Sequence, residues 1–322
     1  MTAKVGIIIR TRNRPRLLQR ALASVCAQSF DDWKLVIVNG GGESSPVDAI
    51  VGALPGHVSQ RVQVIHLAAS VGRSATGNVG FALLDTQYVA TLDDDDSWQP
   101  DFLSITVDAL DDARRELPSV RGVTVAVNAV EERIEGNDIH TLRVTPYNAW
   151  PATPHVVSLD AMLQGSELVP SGVLLDRRAV AEAGGLFDAS LAIQEDWDLY
   201  VRFMLRWDIL TIPDHAANYH RRPFETDPEL ANSVYTQGKQ AAISQQAMLN
   251  DWLKRSVAQT GIGEYANLRQ NFHSLGQIRT ATAERSLNEL ALVSDVLATI
   301  IEQLADVDDK LAHSLPAAHA GR

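Results

Sequence analysis

The stretch Tyr88–Pro100, YVATLDDDDSWQP, sets a strand-forming run against four consecutive aspartates. Tyr88–Leu92 has the β-prone composition of a buried strand, and Asp93–Asp96 follow it at once. Trp98 and Pro100 come next, and proline suits the first turn of a helix, here the apolar-periodic stretch Phe102–Leu117. Adjacent carboxylates repel one another, and a strand end offers little room to separate them. Hard divalent cations such as Mg²⁺ or Mn²⁺ prefer carboxylate oxygens and would relieve that repulsion. The plain alternative is a solvated acidic turn with a helix-capping aspartate. A buried strand ahead of the cluster favours a ligand site, because open α/β sheets bind ligands beyond the carboxyl ends of their strands.

Three more strand-type runs precede this one. Val5–Ile9 ends at the loop Arg10-Thr11-Arg12-Asn13-Arg14-Pro15, and Leu35–Val38 runs into Asn39-Gly40-Gly41-Gly42. Val62–Leu67 precedes Val71-Gly72. Between them lie helical patterns, one with the stripe Leu17, Leu18, Ala21, Leu22, Val25 and Cys26, another over Ser74–Leu84. Strand alternating with helix at this spacing predicts a doubly wound, mostly parallel sheet of Rossmann-like α/β type. The strand-end loops, rich in Gly, Asn, Arg and Asp, would line one crevice.

With 322 residues, 45% of them apolar, the chain can bury one large core and an accessory segment. No run approaches the roughly 18 apolar residues of a membrane span, and the opening MTAKVGIII lacks a signal-peptide layout. One cysteine, Cys26, excludes an intramolecular disulfide and sits on an apolar helix face as a core thiol. The expectation is a cytoplasmic protein, free or peripheral at the inner face of the membrane. A formal charge of −12 argues against nucleic acid as a partner, since phosphate backbones demand a basic surface. A protein this acidic that handles a phosphorylated ligand is expected to need a metal for charge neutralisation.

Three blocks carry a family resemblance. IIIRTRNRPRLLQRALASVCAQSFDDWKLVIVNGGGES resembles the opening of a family 2 glycosyltransferase of the GT-A fold: strand, T-x-N-R loop, helix, and a second strand that in the family ends in D-D-G-S. VGRSATGNVGFALLDTQYVATLDDDDSWQPDFL is similar to the next block, which ends in the family's DxD motif. PSGVLLDRRAVAEAGGLFDASLAIQEDWDLYVRF is similar to the acceptor-side block, with Gly-Gly-x-Phe-Asp before Glu-Asp-x-x-Leu. The likeness covers residues 4–222 in order. It implies an inverting, metal-dependent transfer of sugar from a nucleotide-sugar donor to a hydroxyl of a glycan or lipid-linked acceptor, with surface polysaccharide synthesis as the common setting.

The resemblance also assigns roles. Asp95 would be the direct ligand of Mn²⁺ or Mg²⁺, with Asp93 and Asp94 on the ribose or the metal's water shell and Asp93 a second candidate ligand. His220 falls where relatives place a histidine near the diphosphate, and a structural histidine is the alternative. A divalent ion bridging the diphosphate would offset the charge that builds as the glycosidic bond breaks. Asp196 would be the general base that takes the acceptor's proton, with Glu195 orienting acceptor or metal; an acidic helix start favoured by the dipole fits the same pair. Thr11, Arg12, Asn13, Asn39, Gly40, Gly72, Arg73 and Asn78 complete the expected nucleotide-sugar site. Asn39-Gly40-Gly41-Gly42 departs from D-D-G-S: the aspartate that reads the base is Gly40 here, and Asn39 could read a base edge through its amide instead. Arg10 and Arg12, replacing more neutral family residues, would contact phosphate or base, or stand solvated. Trp197 is expected in the core.

Beyond Pro223 the composition turns helical, which divides the chain into a GT-A domain, 1–225, and a C-terminal helical segment, 226–322. Within 277–314, Leu290, Val293, Leu297, Ile300, Leu304, Val307 and Leu311 keep a strict heptad. They predict a helix through which copies of the chain associate, or one packed on its own neighbours. Two other readings fit parts of the pattern. A nucleotidyltransferase would share the sheet and a metal-binding Asp but want glycines in the first loop. A non-catalytic sugar- or Ca²⁺-binding module would have no need of Glu195-Asp196.

Overall fold

The computed structural model describes residues 3–261 except 137, 228, 233, 234, 236 and 237. Its frame is four parallel strands, β1 (Val5–Thr11), β2 (Trp33–Asn39), β3 (Val62–His66) and β4 (Tyr88–Asp93), in the spatial order β3-β2-β1-β4. β1 shows why the sequence reads as a continuous apolar run: Ile7, Ile8 and Ile9 are all fully buried, so both faces of the strand are covered. Helix α1 (Pro15–Cys26) starts on its proline and turns Leu17, Leu18, Ala21, Leu22 and Val25 inward. Helix α2 (Ser44–Gly52) and the single turn α3 (Gly56–Ser59) lie between β2 and β3, and α4 (Arg73–Leu83) between β3 and β4. Helix α5 (Phe102–Glu116) follows the acidic motif as expected.

The second half of the sheet departs from all-parallel winding. After β5 (Ser97–Trp98) come the long strand β6 (Val120–Glu135), its hairpin partner β7 (Asp138–Pro146), then β8 (Val173–Asp176) and β9 (Asp208–Arg221). β8 wedges antiparallel between β4 and β6, whereas β9 runs parallel to β6 and carries β5 antiparallel on its other edge. The result is a mixed sheet of nine strands among the described residues. Helices α6 (Leu159–Gln164), α7 (Arg177–Glu182) and α8 (Glu195–Met204) flank it. Residues 147–155 form an irregular loop.

The chain divides at Gln246/Ala247 into two compact units, and a last helix, Gly238–Thr260, closes the described part. The heptad over 277–314 lies outside the described residues. Among the described residues no helix is long and apolar enough to cross a membrane.

The glycine run after β2 has a steric basis at one position. Gly41 has φ +82°, and a Cβ there would lie 2.5 Å from the backbone nitrogen of Ser70 and 2.6 Å from the carbonyl carbon of Ala69. Gly41→Ala combines a left-handed backbone, worth about 1–2 kcal/mol, with backbone overpacking of about 1–3 kcal/mol. A fall in stability of about 2–5 kcal/mol is therefore expected in denaturant unfolding. An unchanged midpoint would mean that the Ala69–Ser70 segment yields freely.

Candidate active site

Register brings the motif residues together. Arg10 is level with Val38 on β2 and with Asp93 on β4, and Thr11 is level with Asn39. The carboxyl ends of β1, β2 and β4 thus form one rim, and Asp96 tightens the acidic turn by donating its backbone N–H to the Asp93 carbonyl at 3.0 Å. β5 then carries Ser97 to Asn218 of β9, which draws the end of β9 under the motif.

Arginines surround the aspartates. Arg10 donates to Asp93 at 2.8 Å, and Arg73 reaches the other Asp93 oxygen at 3.7 Å. Asp94 accepts from the Thr11 hydroxyl at 2.8 Å and faces Arg14 at 3.4 Å. Oδ2 of Asp95 accepts from Arg222 and from Asn232, the latter at 3.2 Å, with Arg14 at 3.6 Å. Burial works against Asp93's charge, yet Arg10 and then Arg73 outweigh it and hold the carboxyl below its ordinary 3.8. Burial, followed by the charge of Asp95, pushes Asp94 up to about 7 and Asp96 well above the carboxylate range. Guanidinium groups and retained protons therefore relieve the repulsion within the cluster.

Behind it lies a second buried network. Glu132 on β6 is 1% exposed and accepts from Arg20 at 2.6 Å, from His220 Nδ1 at 2.9 Å and from Arg222 at 2.6 Å. Burial would raise its pKa, but the His220 bond and Arg20 draw it down to about 2. His220 also meets the Ser97 hydroxyl through Nε2 at 2.8 Å, and burial lowers its pKa. Ser97–His220–Glu132 has the connectivity of a nucleophile relay, but all three side chains are buried and Glu132 spends its other oxygen on Arg222. The row is a strut under the acidic motif. The segment after β9 closes over it: Asn232 accepts from the Arg222 backbone N–H at 2.7 Å and donates to the His220 carbonyl at 2.8 Å, and Arg14 donates to the Ala231 carbonyl at 3.0 Å.

Glu195 and Asp196 open α8, where the helix dipole favours acids. The preceding Gln194 takes a left-handed backbone, φ +63°, and its side-chain oxygen is buried without a partner among the described residues. Glu195 is 3% exposed and held by Arg10 at 2.8 Å, with Arg73 at 3.7 Å. One guanidinium thus joins the donor-side motif to the acidic pair, lying 4.9 Å from the centre of the Phe187 ring. Asp196 is half-buried and accepts from the Trp197 backbone N–H at 2.8 Å. Burial, and next the charge of Glu195, raises it to about 6. That value suits a base working near neutral pH.

Several expected positions have other tasks. Asn39 does not present its amide to a base: the NH₂ group donates to the carbonyls of Gly42 and Glu43 and meets His66, and its oxygen accepts from the Gly42 N–H. Asn78, expected in the nucleotide-sugar site, grips both the N–H and the carbonyl of Phe187 at 2.9 and 2.8 Å, tying α4 to the turn before α8. His220, expected as a metal ligand, has both ring nitrogens engaged. Arg10 is buried and ion-paired rather than solvated. Asn13, with φ +56°, links the Glu43 N–H and the Glu229 carboxylate. Gly40 donates its N–H to the Thr11 carbonyl. Arg12, Gly72 and Arg73 remain on the outer rim, with Gly72 at φ +88° capping α4. Trp197 is buried, its indole N–H on the Met162 carbonyl at 2.5 Å.

The donor set limits how a cation could sit. Among the described residues no three His, Cys, Asp or Glu side chains are grouped to hold an ion. Asp95 keeps Oδ1 clear of hydrogen bonds from the described residues while Oδ2 is held. A Mg²⁺-type ion that uses one or two carboxylates and takes its other ligands from phosphates and water fits this arrangement.

Residues 6–155 match the family described as Glycosyl transferase family 2. The uncharacterized glycosyltransferase YwdF of Bacillus subtilis is 26% identical over 219 residues, 67% of this chain and 74% of that protein. The succinoglycan biosynthesis protein ExoW of Rhizobium meliloti is 33% identical over 104 residues, 31% of this chain and 32% of its own length. In three dimensions the mannosyltransferase PcManGT from Pyrobaculum calidifontis, solved with GDP-Man and Mn²⁺, superposes with a TM-score of 0.53 at 16% identity, over 77% of this chain and 64% of that one. The fold is thus the GT-A fold, and the family match falls on the first half of the chain. The chain carries a glycosyl transferase family 2 domain, and it has relatives in polysaccharide biosynthesis.

Proposed function

We propose that the protein transfers a sugar, with inversion, from a nucleoside diphosphate donor to a hydroxyl group of a glycan or lipid-linked acceptor. The observation that carries this reading is the Asp196 carboxyl, poised near 6 on a helix start that Arg10 ties to the acidic motif. Asp196 takes the acceptor's proton as its oxygen attacks. Glu195 keeps that carboxyl basic by repulsion and orients the acceptor side. Asp93, Thr11, Arg12 and Arg73 line the rim where ribose and diphosphate would lie. Mn²⁺ or Mg²⁺, held by Oδ1 of Asp95 together with the donor's phosphates, would supply charge neutralisation at the leaving group. PcManGT's complex with GDP-Man and Mn²⁺ supports a donor of this class.

In this reading the enzyme works in the cytoplasm or at the inner membrane face on polysaccharide precursors, and residues 277–314 join copies of the chain. The test is a panel of UDP-, GDP- and dTDP-sugars with Mn²⁺ or Mg²⁺, scored by nucleotide release and by thermal shift. One donor should stand out in both measurements. A chain that binds no nucleotide sugar under either metal would defeat the proposal.

A further inference from the structure

Guanidinium groups already face the acidic motif before any metal could reach it. Arg10 and Arg73 serve Asp93 and Glu195 together, Arg14 serves Asp94 and Asp95, and Arg222 serves Asp95 and Glu132. These guanidiniums come from four places in the chain: the end of β1, the start of α1, the start of α4 and the segment after β9. The Arg222 side chain has no solvent exposure, and its Nε donates to the Leu230 carbonyl at 2.7 Å. That segment is fastened in turn by Asn232, which donates to Oδ2 of Asp95, and by Arg14 and Asn13 reaching across from the first loop. The charge around Asp95 is therefore set by fixed cations, although the whole chain carries a formal −12.

We infer that this arginine cage is the resting counter-ion of the acidic motif, so that the site has little affinity for a free divalent ion and takes one up only together with a nucleoside diphosphate. The inference rests on the metal reading above and deepens it. A free cation approaching Oδ1 of Asp95 meets the repulsion of Arg14 and Arg222 with a single carboxylate oxygen in return. A bound diphosphate reverses that balance: it adds negative charge beside the same oxygen, offers phosphate ligands to the ion, and gives the partly exposed Arg14 and Arg73 an anion to face. Metal and nucleotide then bind with positive coupling, and linkage requires the coupling to be equal in both directions.

Mn²⁺ titration of the full chain, read by the electron paramagnetic resonance of free Mn²⁺, measures this without turnover. Mn²⁺ alone should bind weakly, and saturating UDP or GDP should tighten it by about 5–150-fold, the usual span of such coupling. Calorimetry of the same nucleotide with and without Mn²⁺ should return the same factor. Arg14→Gln, a partly exposed position, its fold checked by melting temperature, should strengthen the binding of Mn²⁺ alone by several-fold and shrink the coupling. Asn232→Ala, which frees Asp95 without changing charge, should weaken Mn²⁺ binding in the presence of nucleotide by about 10–100-fold, as loss of a residue orienting a metal ligand does. Tight binding of Mn²⁺ alone to the unaltered protein would overturn the cage while leaving metal dependence standing. Failure of Mn²⁺ to bind even with UDP or GDP present would overturn both. An Arg14→Gln variant that binds free Mn²⁺ no better than the parent would remove the electrostatic basis of the inference.

Discussion

Asp196→Asn is expected to lower turnover by about 10²–10⁴-fold, the usual contribution of a general base, or roughly 3–5 kcal/mol of barrier. The amide keeps the shape and can still accept the Trp197 N–H that Asp196 accepts at 2.8 Å, but it cannot take a proton. Donor nucleotide should bind within a few-fold of normal, because the donor site proposed above draws on β1, β4 and α4. The loss therefore falls on kcat rather than on KM. The parent enzyme should lose kcat/KM as pH falls through about 6, where burial and Glu195 place this carboxyl, and the variant's residual rate should lack that limb. A variant keeping more than about a tenth of the parental turnover, with chemistry limiting the rate, would hand the proton to another group.

The same substitution should stabilise the protein. Asp196 titrates near 6 in the fold against its ordinary 3.8, so the folded state disfavours the ionised form. That penalty is absent below both values, grows between them, and is complete at higher pH. Removing the charge should raise stability by up to about 3 kcal/mol near pH 8 and by almost nothing near pH 4. Activity and stability then move in opposite directions, as expected where a carboxylate is kept for chemistry at a cost to the fold.

The sheet's first half is legible because buried parallel strands read as unbroken apolar runs, and β1, β2 and β4 each fall within two residues of the expected limits at either end. Helices α2 and α3 escape such a reading: they are short, and each buries a single valine, Val47 or Val58. The antiparallel insertion of β8 is likewise invisible to periodicity, because a four-residue strand with three apolar residues carries no sign of its direction. The acidic motif announces itself as a site, yet its neighbours do not. Arg222 lies 127 residues from Asp95 and Glu132 lies 88 from His220, so no local pattern links them. That separation is why the repulsion among Asp93–Asp96 suggests a metal in one dimension and meets arginines in three. Glu132 does leave one trace, as the second of two adjacent acids, Glu131-Glu132, that follow the apolar run of β6, and it is the buried one of the two. Asn39 leaves little, since its amide is taken up locally by the carbonyls of Gly42 and Glu43 and meets His66 only once β2 and β3 pair.

Arg10→Met should damage the fold itself. The parent guanidinium is 9% exposed and satisfies Asp93 and Glu195 at 2.8 Å each. Methionine fills much of the volume against Phe187 but leaves Glu195, itself 3% exposed, with only Arg73 at 3.7 Å. Removing one partner of a buried pair typically costs about 3–5 kcal/mol, because the other charge stays behind unpaired. At about 2–4 °C per kcal/mol for a unit of this size, the midpoint should fall by roughly 6–20 °C. The loss should depend on pH in a defined sense. Arg10 holds Asp93 below its ordinary value against the cost of burial, so the stabilisation it gives is present at neutral pH and is lost as acid protonates the carboxylate. The gap between parent and variant should therefore be wide near pH 8 and narrow only at about pH 2, once acid has passed the lowered value of Asp93. Arg10→Lys should fall between the two, since one ammonium cannot span both carboxylates as a planar fork does. Melting curves of the three proteins at both pH values decide it, and a methionine variant within about 2 °C of the parent near pH 8, less than 1 kcal/mol on the same scale, would show that Arg73 alone can carry both acids.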